Sequence, residues 1–114
     1  MIYEVRLTQK ANRDIHQIHD WWYEHRSPEQ ADRWFEEILE AFKSLRKMPE
    51  RCAAAPESVK SGRNVRQLLF TIGKRNTHRI VFLIESDQVW ILRVRHVAQD
   101  QLPEDSTGDD SLHQ

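Results

Sequence analysis

The apolar positions change period along the chain, and each change marks a different kind of element. From Ile2 to Leu7 they alternate, with Tyr3, Val5 and Leu7 on one side and Glu4 and Arg6 on the other. That is the period of a half-buried strand. Ala11, Ile15, Ile18 and Trp22 are then spaced 4, 3 and 4, one stripe of a helix that Thr8 can cap and that runs to about His25. Ser27-Pro28-Glu29-Gln30 opens a second helix: serine caps, proline suits the first helical position, and Gln30 stands where a capping box wants Glu or Gln. This helix carries a broad stripe, Ala31, Trp34, Phe35, Ile38, Leu39, Phe42 and Leu45, and stops at Met48-Pro49. Two helices on so short a link predict a helical hairpin.

Residues 49–62 hold two prolines, a glycine and an alanine triplet, and read as a loop. Strands are predicted over Val65–Thr71, Arg79–Ser86 and Val89–Val97, with turns at Gly73–Thr77 and Glu85–Gln88. The last two strands should form an antiparallel hairpin. The predicted fold class is α+β: an N-terminal strand, an α-helical hairpin, then a three-strand antiparallel meander. It occupies one domain, residues 1–98. Residues 99–114 contain five acids and no Lys or Arg, and predict a disordered acidic tail.

Composition narrows the class. A chain of 114 residues, 39% apolar and 31% charged, has room for one thin core, such as two helices on one sheet. No apolar run approaches the ~20 residues of a membrane span. The N-terminus lacks the basic-then-apolar layout of a signal peptide, and Cys52 stands alone. The expected setting is therefore the reducing cytosol, away from membranes. A formal net charge of −1 hides an asymmetry. Residues 60–98 carry eight basic side chains against two acidic ones, whereas residues 1–59 carry nine basic and eleven acidic. A basic sheet calls for an anionic partner, most commonly nucleic acid.

The same sheet carries an ordered set of short motifs: Arg66-Gln67-Leu68, Gly73-Lys74, His78-Arg79-Ile80-Val81-Phe82 and Val94-Arg95-His96. Together they resemble the C-terminal half of the RelE/ParE superfamily of toxins from bacterial type II toxin–antitoxin modules, and the likeness of element order covers roughly residues 2–100. The resemblance implies a growth-arresting toxin, held inactive by a cognate antitoxin in an oligomeric complex. It leaves the target open. ParE-like members poison DNA gyrase and have no established cleavage chemistry, whereas RelE-like members cut mRNA on the ribosome. A non-toxic module that only binds its antitoxin is a third reading.

Metal-free RNA cleavage needs a base, an acid and a cation on the same phosphate. Arg79 is the candidate clamp, because guanidinium grips phosphate bidentately and stays charged. It occupies the position where the resemblance places a functional Arg in mRNA-cutting members. His96 can serve as base or acid near neutral pH. Arg66, Lys74, Arg75, Arg93 and Arg95 are candidates for holding an anionic target or the antitoxin. Departures from the family weigh against cleavage: no Tyr follows Tyr23, Val97 follows His96, and Gln99-Asp100 stand where an Arg is common. Arginines on a strand also serve simply to keep a sheet soluble, but Arg79 shares its face with Val81 and Leu83, where a charge needs a reason. Trp21 lies just off the helical stripe and is a candidate for antitoxin docking, as tryptophan is enriched at interface hot spots. His16, His19 and Asp20 share a helical turn, but a third His or Cys ligand is not in place. No metal and no other cofactor are expected.

Overall fold

The computed structural model describes residues 1–72 and 75–97, apart from the side chains of residues 71, 72 and 75–77. The predicted acidic tail and the domain boundary at residue 98 lie outside the described residues. β1 (Glu4–Leu7) leads directly into α1 (Gln9–His25), which is followed by α2 (Pro28–Ser44). The Thr8 hydroxyl accepts the Ala11 N–H at 3.1 Å, and the Ser27 hydroxyl accepts that of Gln30 at 3.0 Å. Each cap contributes about 1 kcal/mol by satisfying an orphan donor. Ala11 and Ile15 of α1 are buried with Ala31, Trp34, Ile38 and Phe42 of α2. Further along α1, Ile18 and Trp22 are only half-buried.

Residues 49–62 are more ordered than a loop. A 3₁₀ turn (Pro49–Arg51), a two-residue strand β2 (Ala53–Ala54) and a short helix α3 (Pro56–Ser61) fill the segment. Its Pro and Gly are helix boundaries: Pro56 presets the first turn, and Gly62 closes the last in the left-handed region at φ 70. That asymmetry is how proline and glycine commonly bracket helices.

β3 (Val65–Ile72), β4 (Arg75–Glu85) and β5 (Gln88–His96) form the antiparallel meander. β4 starts at Arg75, so it takes up residues expected in the preceding turn. The sheet has five strands in the order β1-β5-β4-β3-β2, with β1 parallel to β5. One face meets the helical hairpin through Phe70, Ile80, Phe82, Val89, Ile91 and Val94. On the other face, Val65, Val81 and Leu83 gather with Ala55 from the segment before α3. β4 is therefore buried from His78 to Leu83 without alternation.

A bulge and an edge fix how the helices sit. Opposite Val81 is Arg93, but opposite Phe82 is Ile91. Leu92 is thus the extra residue, and the bulge lets Ile91 and Val94 both enter the helix-side core although they are three apart. β1 pairs only with Gln88–Ile91, which leaves the rest of β5 with an open edge. The start of α1 closes it. The Thr8 N–H donates to the Ile91 carbonyl at 3.0 Å, the Thr8 hydroxyl to the Leu92 carbonyl at 3.0 Å, and the Val94 N–H to Asp14 Oδ2 at 2.9 Å. Arg93 completes the joint, its Nε and Nη2 donating to Asp14 Oδ2 and Oδ1 at 2.7 and 3.0 Å.

Asp14→Ala should lower unfolding free energy by about 3 kcal/mol, since it strands a shielded guanidinium and a buried N–H together. Urea denaturation checks this, and a loss below ~1 kcal/mol would place the joint elsewhere.

Candidate functional site: arginines and histidines on opposite faces of the sheet

Strand alternation divides the candidate residues between the two faces. In the β4–β5 register His78 stands opposite His96, and Arg79 opposite Arg95. The His78 ring lies 5.6 Å from Trp34 and 6.4 Å from Phe70, so the histidine pair belongs to the helix side. Their own ring centroids are 5.1 Å apart, with His78 buried and His96 exposed. Arg79 turns the other way. Its Nη1 and Nη2 donate to Glu57 Oε1 and Oε2 of α3 at 3.2 and 2.5 Å, and Nη1 also donates to Gln67 Oε1 at 2.8 Å. The sheet backbone thus lies between Arg79 and His96.

The environment tunes both groups. Burial alone would push the Glu57 carboxyl up, but the hydrogen bond from Arg79, a backbone hydrogen bond and the charges of Arg79 and Arg95 together hold it below the usual carboxylate range. At His78, burial and then the charge of His96 disfavour the imidazolium and bring its pKa down to about 4. His78 is a neutral ring at physiological pH.

The remaining arginines have local tasks. Arg66 Nη1 donates to the carbonyls of Glu50 and Cys52 at 3.1 and 2.7 Å, and its Nε to Asn64 Oδ1 at 3.1 Å. It is a clamp on the turn that precedes β2. Arg93 is held at Asp14, away from Glu57. Arg75 opens β4, but its side chain and all of Lys74 lie outside the described residues. The structure therefore brings Arg79 and Arg95 together and separates both from His96.

Trp21 is 47% exposed near the end of α1. It stacks on His25 with centroids 4.8 Å apart, meets Trp22 edge-on at 5.7 Å, and has the Arg26 guanidinium 5.9 Å from its ring. Between β1 and α2 runs a groove of about 590 Å³, with Val5, Leu7, Leu39 and Phe42 as apolar lining, Lys43 and Arg46 as basic lining and Glu4 as its acidic member. The helical histidines have other partners: His16 Nδ1 lies 2.8 Å from the Asn12 carbonyl, and His19 Nε2 lies 3.1 Å from Asp32 Oδ1.

Three residues that shape the site were not singled out in the sequence. Glu57 was hidden because its segment read as a loop, although Pro56-Glu57 repeats the Pro-Glu start of α2. Asp14 was legible in principle as a charge inserted into the stripe between Ala11 and Ile15. His78 carried no signal beyond its place before Arg79.

An N-terminal strand, a helical hairpin and a mainly antiparallel sheet with a basic strand pair define the fold of RelE/ParE-type toxins. Over residues 5–101 the chain matches the family described as ParE toxin of type II toxin–antitoxin system, parDE, and it belongs to that family. It is similar to a chain of the chromosomal ParDE toxin–antitoxin system from P. aeruginosa, with 25% identity, a TM-score of 0.67, and coverage of 83% of this chain and 96% of that one. It is also similar to a chain of the RelBE toxin–antitoxin complex from Mycobacterium tuberculosis, at 25% identity and a TM-score of 0.53, covering 84% and 92%. No curated protein matches the chain in sequence. Among the described residues, no helix is long and apolar enough to cross a membrane.

Because the folded pKa of His78 is depressed, its contribution to stability is complete above its ordinary value of 6.5 and is lost as pH falls toward about 4. The loss should reach roughly 3 kcal/mol. His78→Phe should flatten this part of the acid limb in urea melts taken from pH 7 to pH 4, and an unchanged slope would remove His78 as its source.

Proposed function

We propose that this chain is the toxin half of a two-protein module, that it arrests growth by binding DNA gyrase, and that a cognate antitoxin neutralises it. Family membership supports the module. The observation that favours binding over cleavage is the division of Arg79 and His96 between the two faces of the sheet. A base or acid and a phosphate clamp must act on one phosphate, and here the backbone separates them.

Induction of the chain alone, with DNA and protein synthesis pulse-labelled, tests the target. DNA synthesis should fall first, and the purified chain should inhibit gyrase supercoiling. If protein synthesis falls first, the ribonuclease reading replaces this one. If neither falls, the chain is a binding module only.

Both similar structures are toxin–antitoxin assemblies by description, which supports an antitoxin partner. Two surfaces suit one. The groove between β1 and α2 offers an apolar floor beside Lys43 and Arg46, matched to a segment with apolar and acidic residues. Trp21 offers a rigid aromatic anchor at the far end of α1. Trp21→Ala should weaken antitoxin binding by about 30-fold or more while lowering stability by only about 1 kcal/mol, because the ring is half-exposed. Calorimetric titration with the cognate antitoxin checks this, and unchanged affinity would remove Trp21 from the interface.

A further inference from the structure

We propose that Arg79 and Arg95 form a carboxylate-binding site for an acidic segment of a partner protein, and that Glu57 of α3 is its internal occupant. The two guanidinium-bearing residues face each other across β4 and β5, and are 8% and 5% exposed. Two like charges this well buried require a counter-charge in the same place. Glu57 supplies it, gripping Arg79 with both oxygens while the charge of Arg95 acts on it as well.

The element that carries Glu57 is the shortest α-helix among the described residues. α3 spans six residues, has no side-chain N-cap, and buries none of its own side chains. Val59 on its surface is 88% exposed. Moving α3 aside therefore takes none of its own apolar side chains out of a buried place, and Ala55 can stay in the cluster with Val65, Val81 and Leu83 if the hinge falls at Pro56. An external carboxylate would replace Glu57 like for like, keeping the two-oxygen grip that a guanidinium fork favours. Leu69, opposite Arg79 on β3 and 45% exposed, gives an incoming peptide an apolar contact beside the charge. An acidic peptide fits better than a nucleic-acid strand because the site is already shaped around a carboxylate. This site is independent of whether gyrase is the target.

The test uses the full chain and a fluorescein-labelled octaglutamate peptide, with anisotropy read at fixed ionic strength. Glu57→Gln keeps the shape of the side chain and removes its charge, and should tighten peptide binding about tenfold. Glu85→Gln, which neutralises an exposed acid paired with Arg63, should give no comparable gain. Adding Arg79→Lys to Glu57→Gln keeps the charge, removes the fork and should abolish the gain. In the unaltered chain, saturating peptide should speed amide exchange in α3. The proposal is overturned by unchanged affinity in Glu57→Gln, by an equal gain in Glu85→Gln, or by a gain that survives Arg79→Lys. It is equally overturned if α3 exchange is unaffected, or if only a single-stranded RNA octamer run in parallel binds more tightly.

Discussion

Asp14 is the joint between helices and sheet, and most of the architecture follows from it. β5 has nine residues, whereas β1 covers only its first four. The uncovered half needs donors and acceptors from somewhere, because buried backbone groups left unpaired cost as much as lost hydrogen bonds. Thr8 and Asp14 provide them from the first turns of α1. Once Asp14 is bound to the Val94 N–H, the rotation of α1 about its axis is fixed. Ala11 and Ile15 must then face the sheet, and the short link places α2 beside them. The same carboxylate accepts two hydrogen bonds from Arg93, so the backbone contact and the ion pair reinforce each other in a shielded position.

This joint also changes the meaning of the chain's charge. Counted along the sequence, the acidic front half and basic back half predict a strongly electropositive sheet. Folding pairs them. Asp14 meets Arg93 and Glu57 meets Arg79, each an acid from before residue 60 with an arginine from the sheet. Within the sheet segment itself, Arg63 meets Glu85 across 3.0 Å, and Arg66 spends its donors on carbonyl oxygens. The external field is therefore weaker than composition implies, and long-range steering of a polyanion is correspondingly modest. Recognition falls to local contacts.

The strand and helix periods made most of the fold legible. Thr8 and Ser27 announce their helices through cap chemistry that is local in sequence. The alternation of β1 and the runs of β3, β4 and β5 follow from which faces are wet. What was not legible depended on tertiary pairing. The parallel β1–β5 contact and the Leu92 bulge leave no mark in a single strand's pattern. α3 was missed because it is too short for a stripe and buries no side chain, so its only signals were Pro56 and Gly62, which also mark loops. The site suffered from the same limit. Arg79 was rightly placed on an apolar face with Val81 and Leu83, but its partner Glu57 sits 22 residues earlier, in a segment without periodicity. Arg93 and Arg95 read as neighbours on one face. In the structure they serve different partners, because Arg93 stands on the open edge of β5 within reach of Asp14 on α1, whereas Arg95 acts on Glu57 beside Arg79.

The separation of the histidines from the arginines bears on how so thin a fold can act. Arg79 is on the side covered by α3, and His78 on the side covered by α2, so among the described residues these two groups do not meet in one cleft. A binding protein needs only complementary patches, and exposed apolar side chains mark where these lie. Trp21 at the end of α1, Leu39 beside the β1 groove, and Leu69 and Val59 near Glu57 are each more than one-third exposed. They sit on different sides of the molecule, so one short peptide cannot cover them all. A partner that wraps around the domain, or two partners on separate surfaces, would satisfy them. For a chain of this size, occupying several small apolar patches at once is the effective route to tight association, because each patch alone buries too little to offset the entropy of binding.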